Sequence, residues 1–171
     1  MRPSEGVQEE LERFRAARAV LVSENMASVD RFEDLVAWQL SEQLREAVFE
    51  FTARDGVKRD FDFCDDIRRS ARSAPANIAE KFGYYTPTQN ARYVTIARAS
   101  LQETLNHVLD AAQRGYINGD ERNAILRLNK RALGATGSYL SYLKSCKQAP
   151  PGWSRTRNKD QEDNQEPENP T

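Results

Sequence analysis

Apolar residues return every three to four positions in four separate runs between Asp30 and Cys146, the repeat of a single helical face. In the first run Phe32, Val36, Leu40, Leu44, Ala47, Val48 and Phe51 align. Asp30 stands at its cap, placed to accept from the amide of Glu33 while Glu33 reaches back, and Asp55-Gly56 closes the run. The second extends from about Asp60 to Phe82 through Cys64, Ile67, Ala71, Ala74 and Ile78, with Gly83 at the left-handed terminating position. The third opens on Thr86 as cap, with Pro87 in the first turn and Gln89 completing the box. Val94, Ala97, Leu101, Leu105, Val108 and Ala112 share its face, and Gly115 stops it. The fourth follows Asn118, with Glu121 three residues on, and carries Ile125, Leu128, Ala132, Thr136, Tyr139 and Leu143 as far as Cys146; Pro150-Pro151 forbids continuation. Helices of about 25 residues are about 37 Å long, and the short links between them favour antiparallel neighbours. The pattern predicts an all-α fold: an antiparallel up-down-up-down four-helix bundle over residues 29–148, with flexible termini.

The ends break the pattern. Residues 149–171 are rich in Pro, Asn, Asp, Glu and Gln with Trp153 as their one apolar anchor, a composition that buries too little to offset the entropy of ordering and is expected to be disordered. In residues 1–28, Val7, Leu11, Phe14 and Leu21 outline a short amphipathic helix that Arg18 interrupts. That extension is either a docking element or the product of a start codon set too far upstream, with Met26 as the alternative start.

Composition changes the picture in four ways. At 171 residues, 30% charged and 39% apolar, the chain is one soluble helical domain with tails. The two cysteines, Cys64 and Cys146, sit inside helical patterns and are too few for a secreted disulfide framework, so both are expected to be reduced. No run approaches the roughly 20 apolar residues of a membrane span, and the N-terminus lacks the features of a signal peptide; a cytoplasmic location with no membrane partner is expected. The net charge of −1 divides into 18 Lys/Arg against 16 Asp/Glu between Asp30 and Lys147, and 7 against 10 in the flanks. A binder dominated by phosphate contacts usually has a stronger basic bias, although a local patch remains compatible with this balance.

Catalytic, metal and cofactor chemistry find no support in the residues. The single histidine, His107, lies among Glu103, Asn106 and Asp110 on a helix face, without the contacting nucleophile and orienting group of a triad. Glu103 with His107 is the closest approach to a di-metal motif, and no second histidine exists. No catalytic residue, metal ligand or cofactor is therefore expected.

Three constellations on the helices carry more. On the second helix Pro75 removes an amide donor and crowds the carbonyl of Ala71, at a cost of about 3 kcal/mol in an ordinary helix interior. Arg69, Ser73, Asn77 and Glu80 lie in one sector of the same helix, either as plain solvated surface or as a polar network around the proline. In the network reading Glu80 pairs with an arginine, or Asn77 satisfies the carbonyl freed near Pro75. Arg68, Arg69 and Arg72 cluster on this helix, with Arg92 and Arg98 on the next. Guanidinium groups suit phosphate recognition, but Asp62, Asp65 and Asp66 stand one turn away and can neutralise them. On the first helix Trp38 and Phe49, eleven residues apart, share an azimuth with Leu35 beside it, away from the core face; the stripe reads as an oligomer interface or as the flank of a wide core.

The segment from Ile67 to Gly83 with Ala-Asn-Ile-Ala-Glu at its centre, the Ile96-Ala97 and Ser100-x-x-Glu103 pairs, and the opening Arg31-Phe-Glu-Asp-Leu-Val-Ala-Trp-Gln39 together resemble the bacterial four-helix-bundle family of 23S ribosomal RNA intervening-sequence proteins. That family includes the accessory variability determinant (Avd) of diversity-generating retroelements, and the resemblance covers about Val29 to Lys147. It implies a non-enzymatic binding module that forms a homopentamer and serves as an RNA or DNA accessory, with a reverse transcriptase or another protein as partner; the other reading is a protein-interaction scaffold without nucleic-acid binding. It marks Asn77, Glu80, Ser100 and Glu103 as signature residues of a structural network. Arg68, Arg69, Arg72, Lys81, Arg92 and Arg98 are the basic residues it offers to nucleic acid. Two departures stand out. Relatives read Glu-Gly-Phe-Gly-Arg where this chain has Glu80-Lys81-Phe82-Gly83-Tyr84, and Ala99 replaces the glycine that usually precedes Ser100.

Overall fold

Residues 29–82 and 86–146 are described by a computed structural model of the chain; the extension 1–28, Gly83 and the tail 149–171 lie outside the described residues. Four helices follow one another: α1 (Val36–Thr52), α2 (Phe61–Glu80), α3 (Pro87–Gln113) and α4 (Gly119–Ser145). Each packs on its neighbours in sequence, and α1 closes the square by packing on α4. This is the up-down-up-down bundle that the apolar periodicity predicts. Its core is built from Leu44, Val48, Phe51, Ile67, Ile78, Val94, Leu101, Val108, Tyr139 and Leu143, all essentially buried.

The helix ends obey local chemistry. Asp60 accepts from the amide of Phe63 at 3.3 Å, Thr86 from that of Gln89 at 3.3 Å, and Asn118 and Glu121 form a reciprocal capping box with both bonds at 2.9 Å. Gly115, at φ 74°, ends α3: its amide bonds to Ala112 and the next amide, on Tyr116, reaches back to Ala111, the two bonds of a Schellman motif.

The first helix departs from expectation. No box forms at Asp30. A single 3-10 turn at Phe32–Asp34 precedes α1, and Glu33 bonds Arg31 at 2.8 Å instead of reaching back to a cap. Leu35 then adopts an extended conformation (φ −71°, ψ 120°), which resets the helical phase. Leu35 turns into the core at 1% exposure, while Val36, expected to be buried, is 54% exposed. Among the other expected core positions, Phe32, Ala47, Leu105, Ala112 and Leu128 are only half-buried. The interior admits instead a set of small polar residues: Ser41, Thr52, Ser70, Asn90, Ser100, Thr104, Asn129 and Thr136. Among the described residues no helix is long and apolar enough to cross a membrane.

Candidate nucleic-acid interface

The three arginines of the expected α2 patch have different surroundings. Arg68 turns inward: its Nε donates to Thr52 Oγ1 at 2.8 Å and its guanidinium lies 5.4 Å from the centre of the Phe49 ring. Arg69 is paired with Asp66 at 2.6 Å, the neutralisation that the nearby aspartates allow. Lys81 bonds Glu80 at 3.0 Å and sits over Tyr93. Arg98 reaches across to α4, where its Nη1 donates to the carbonyl of Leu133 at 2.6 Å. It fits there because Gly137 has no Cβ; one would stand 2.7 Å from that nitrogen. Of the six expected phosphate ligands, only Arg72 and Arg92 are exposed and have no ion pair or hydrogen bond to another described residue.

The polar network exists in part, with other members. Asn77 Nδ2 donates to the Ser73 carbonyl at 2.7 Å and to Ser73 Oγ at 3.1 Å, and Ser73 Oγ meets Ser100 Oγ at 2.8 Å. One turn along, Thr104 Oγ1 lies 2.8 Å from the Ser100 carbonyl and 3.1 Å from Ser70 Oγ. Asn77 thus serves Ser73 rather than the carbonyl of Ala71 that Pro75 leaves without its amide. Glu80 and Glu103 stand outside this ladder, both exposed: the first pairs with Lys81 and the second lies 4.0 Å from His107. Ser73 belongs to the polar sector read from the sequence, whereas the roles of Ser70 and Thr104 in the ladder are hidden there, because a hydroxyl residue in a helix gives no periodicity signal of its own. Their spacing on facing helices, at positions 70, 73 and 77 against 100 and 104, is the one sequence clue to them.

The aromatic stripe is largely covered from within the chain. Leu35 is core and cannot form an outer contact. Trp38 packs edge-on against Phe32 with centroids 5.3 Å apart, and the guanidinium groups of Arg45 and Arg68 lie 5.2 and 5.4 Å from the centre of the Phe49 ring. Cys64 is buried, its thiol 3.5 Å from the Val57 carbonyl, and burial pushes its pKa up. Tyr142, next to the half-buried Cys146, is pushed up to about 12, chiefly by burial.

At the end of the bundle where α2 begins and α3 ends, Asp60 ties two links together. Besides capping α2, it accepts from Tyr116 Oη at 2.7 Å and from Arg114 Nη1 at 2.9 Å, while Arg114 also bonds Asp110 at 2.9 Å. The tyrosine bond foremost, with Arg114 adding, holds the Asp60 carboxyl below its ordinary range. Beside it, Arg54 bonds Glu121 at 2.7 Å.

Further open cations are on α4, a helix whose charges form no recognisable motif in the sequence. Arg127, Lys130, Arg131 and Lys144 of α4 are exposed, and none forms an ion pair or hydrogen bond with another described residue. Arg127, Lys130 and Arg131 lie within one turn on the outer side of α4. Exposed Gly134 and Ser141 follow on that side, up to Lys144 in the last turn, which shares a cleft with Arg92 of α3. A sequence signal for this face exists: from Arg122 to Ser145 there is no aspartate or glutamate, against five Lys/Arg. Averaging charge over the whole bundle hides it.

No protein among those with curated descriptions matches the chain. The family model described as "23S rRNA-intervening sequence protein" matches residues 33–134, more than half of the chain. The match runs from the 3-10 turn through three helices to the middle of α4 and takes in the Ser73–Ser100 ladder. On that match, the chain belongs to the family of 23S rRNA-intervening sequence proteins.

Proposed function

We propose that this protein is a non-catalytic nucleic-acid accessory that holds a phosphate backbone along the outer side of α4, without reading base sequence. The observation that carries the reading is the α4 face beyond Glu121, where Arg127, Lys130 and Arg131 stand exposed with no ion pair or hydrogen bond to another described residue. Cations already paired with carboxylates release few counterions when a phosphate arrives, whereas open ones contribute fully. This moves the interface from α2, where Arg68 and Arg69 are spent on Thr52 and Asp66, to the opposite corner of the bundle. In this role the protein needs no metal or cofactor. Its resemblance to Avd supports assembly of several copies, five in a ring by that analogy, acting beside a reverse transcriptase or another nucleic-acid enzyme. Repetition of a weak patch around such a ring would offset the near-zero net charge.

The test is salt-dependent binding of a single-stranded RNA, with Arg127→Gln/Lys130→Gln/Arg131→Gln compared against Arg68→Gln/Arg69→Gln. With five open cations engaged, log K against log salt should have a slope of about −3.5, and the α4 triple variant should bring it to about −1.5 while binding weakens equally across sequences. The α2 variant should bind nearly as the wild type. No measurable affinity at low salt, or an α4 variant that binds unchanged, would overturn the reading and leave the protein-interaction scaffold in its place.

A further inference from the structure

Where α3 begins and α4 ends, a cleft of about 360 Å³ opens between the two helices. Its walls are Thr88, Ala91, Arg92 and Thr95 from the first turns of α3 and Leu143, Lys144 and Cys146 from the end of α4. The volume falls in the range of small-ligand sites, about 300–1,000 Å³. No carboxylate lines it. On α4 the last acidic residue before it is Glu121, at the far end of the helix, and on α3 the first is Glu103. Arg92 and Lys144 have no ion pair or hydrogen bond to another described residue, so both keep their full complement of donors for a ligand. Thr88 adds a hydroxyl in the first turn of α3, where backbone amides lack helical acceptors and the helix dipole is positive. Thr95 spends its proton on the Ala91 carbonyl at 2.8 Å. Ala91 and Leu143 supply apolar wall for the carbon part of a ligand.

We propose that this cleft receives a terminal phosphate monoester. Two cations from opposite walls match a group that carries about −1.5 to −2 charge and three acceptor oxygens, where an internal diester carries one charge and fewer open oxygens. The geometry also places the cleft at an end. Lys144 lies thirteen residues beyond Arg131, about 20 Å along the helix axis, and α4 stops at Ser145. A strand lying on the Arg127–Arg131 turn arrives here after about six nucleotides of stacked helix, at about 3.4 Å each. As a strand-end receptor the cleft rests on the backbone-binding reading above; as a site for the monoester itself it stands on its own residues.

The experiment uses the full chain and one 12-nucleotide RNA carrying either a 5′-phosphate or a 5′-hydroxyl, with a nucleoside 5′-monophosphate as the free form of the same group. The wild type should prefer the 5′-phosphorylated strand by about tenfold. Arg92→Gln/Lys144→Gln should reduce that ratio to near one, and Thr95→Phe, which keeps both charges and fills the cleft, should do the same. Arg127→Gln/Lys130→Gln/Arg131→Gln should weaken both strands while the ratio persists. All altered side chains are exposed, and a far-UV spectrum checks the fold. A wild-type ratio of one overturns the cleft proposal even if the strands bind, and so does a ratio that survives both cleft variants. If neither strand binds, the backbone reading fails by itself. The nucleoside monophosphate then decides: binding lost in Arg92→Gln/Lys144→Gln sustains the cleft as a site for the free group, and absence of binding overturns it.

Discussion

Arg98 shows how one missing atom decides what a charged side chain does. A guanidinium on the third helix of a bundle would ordinarily extend to water, but here it lies over α4 and donates to the Leu133 carbonyl at 2.6 Å. Only Gly137 permits that approach, since a Cβ would come within 2.7 Å of the Arg98 Nη1. Three residues earlier, Gly134 has open space around the same position. The two glycines therefore make an internal control. Both cost α4 about 0.5–1 kcal/mol relative to alanine through lost propensity. Gly134→Ala should recover that amount in urea unfolding. Gly137→Ala should recover less or lose stability, because it displaces a charge-assisted bond of the class worth about 1.5–3 kcal/mol when intact. In an Arg98→Met background the two substitutions should become equal. If they already differ little in the wild type, the Arg98 contact contributes nothing.

At the scale of elements, the α2–α3 seam is held by a polar ladder as well as by apolar packing. The Asn77–Ser73–Ser100 chain flanks Pro75, and Ser70 with Thr104 continues it one turn on. Each hydroxyl bond is of the order of 1 kcal/mol net. Ser73→Ala and Ser100→Ala should each cost about that much, and the double variant clearly less than the sum, because both remove one shared contact. Strict additivity in denaturant melts would mean that the 2.8 Å approach carries no energy. This seam also marks how far the sequence is legible. Helix type, order and most caps follow from periodicity and cap chemistry; the Asn118–Glu121 box and the Gly115 stop were readable residue by residue. The start of α1 was not, because a 3-10 turn and one extended residue at Leu35 reset the phase without changing the apolar count. The expected phosphate ligands were legible as charges, but the sequence does not tell the paired ones from the open ones. Whether an arginine faces Thr52, Asp66 or water depends on how neighbouring turns and helices meet in space.

Across the whole molecule charge is sorted by helix: the acidic residues gather on α1 and at the start of α2, while α4 beyond Glu121 has none. The link between the two halves is the knot at Asp60, which joins the α1–α2 connection to the α3–α4 connection through Tyr116 and Arg114. Its carboxyl is held below its ordinary range by the Tyr116 hydroxyl first and by Arg114. Glu121 is lowered in the same sense by Arg54 and by the Asn118 amide. A depressed folded-state pKa means that the contribution to stability is complete above the unfolded value, about 3.9 for an aspartate and 4.3 for a glutamate, and is lost as pH falls through the folded value. The bundle should therefore be insensitive to these groups at neutral pH and loosen below about pH 4, starting at this end. Hydrogen exchange in acid should show amides around Val57–Cys64 and Tyr116 losing protection before those of the Ser73–Ser100 seam at mid-helix. Asp60→Asn keeps a side-chain acceptor for Tyr116 and Arg114 but cannot titrate, so it should lower the melting temperature at pH 7 and flatten its fall between pH 5 and pH 3. An equally steep acid limb in Asp60→Asn would place the sensitivity in other carboxylates and leave the knot as geometry alone.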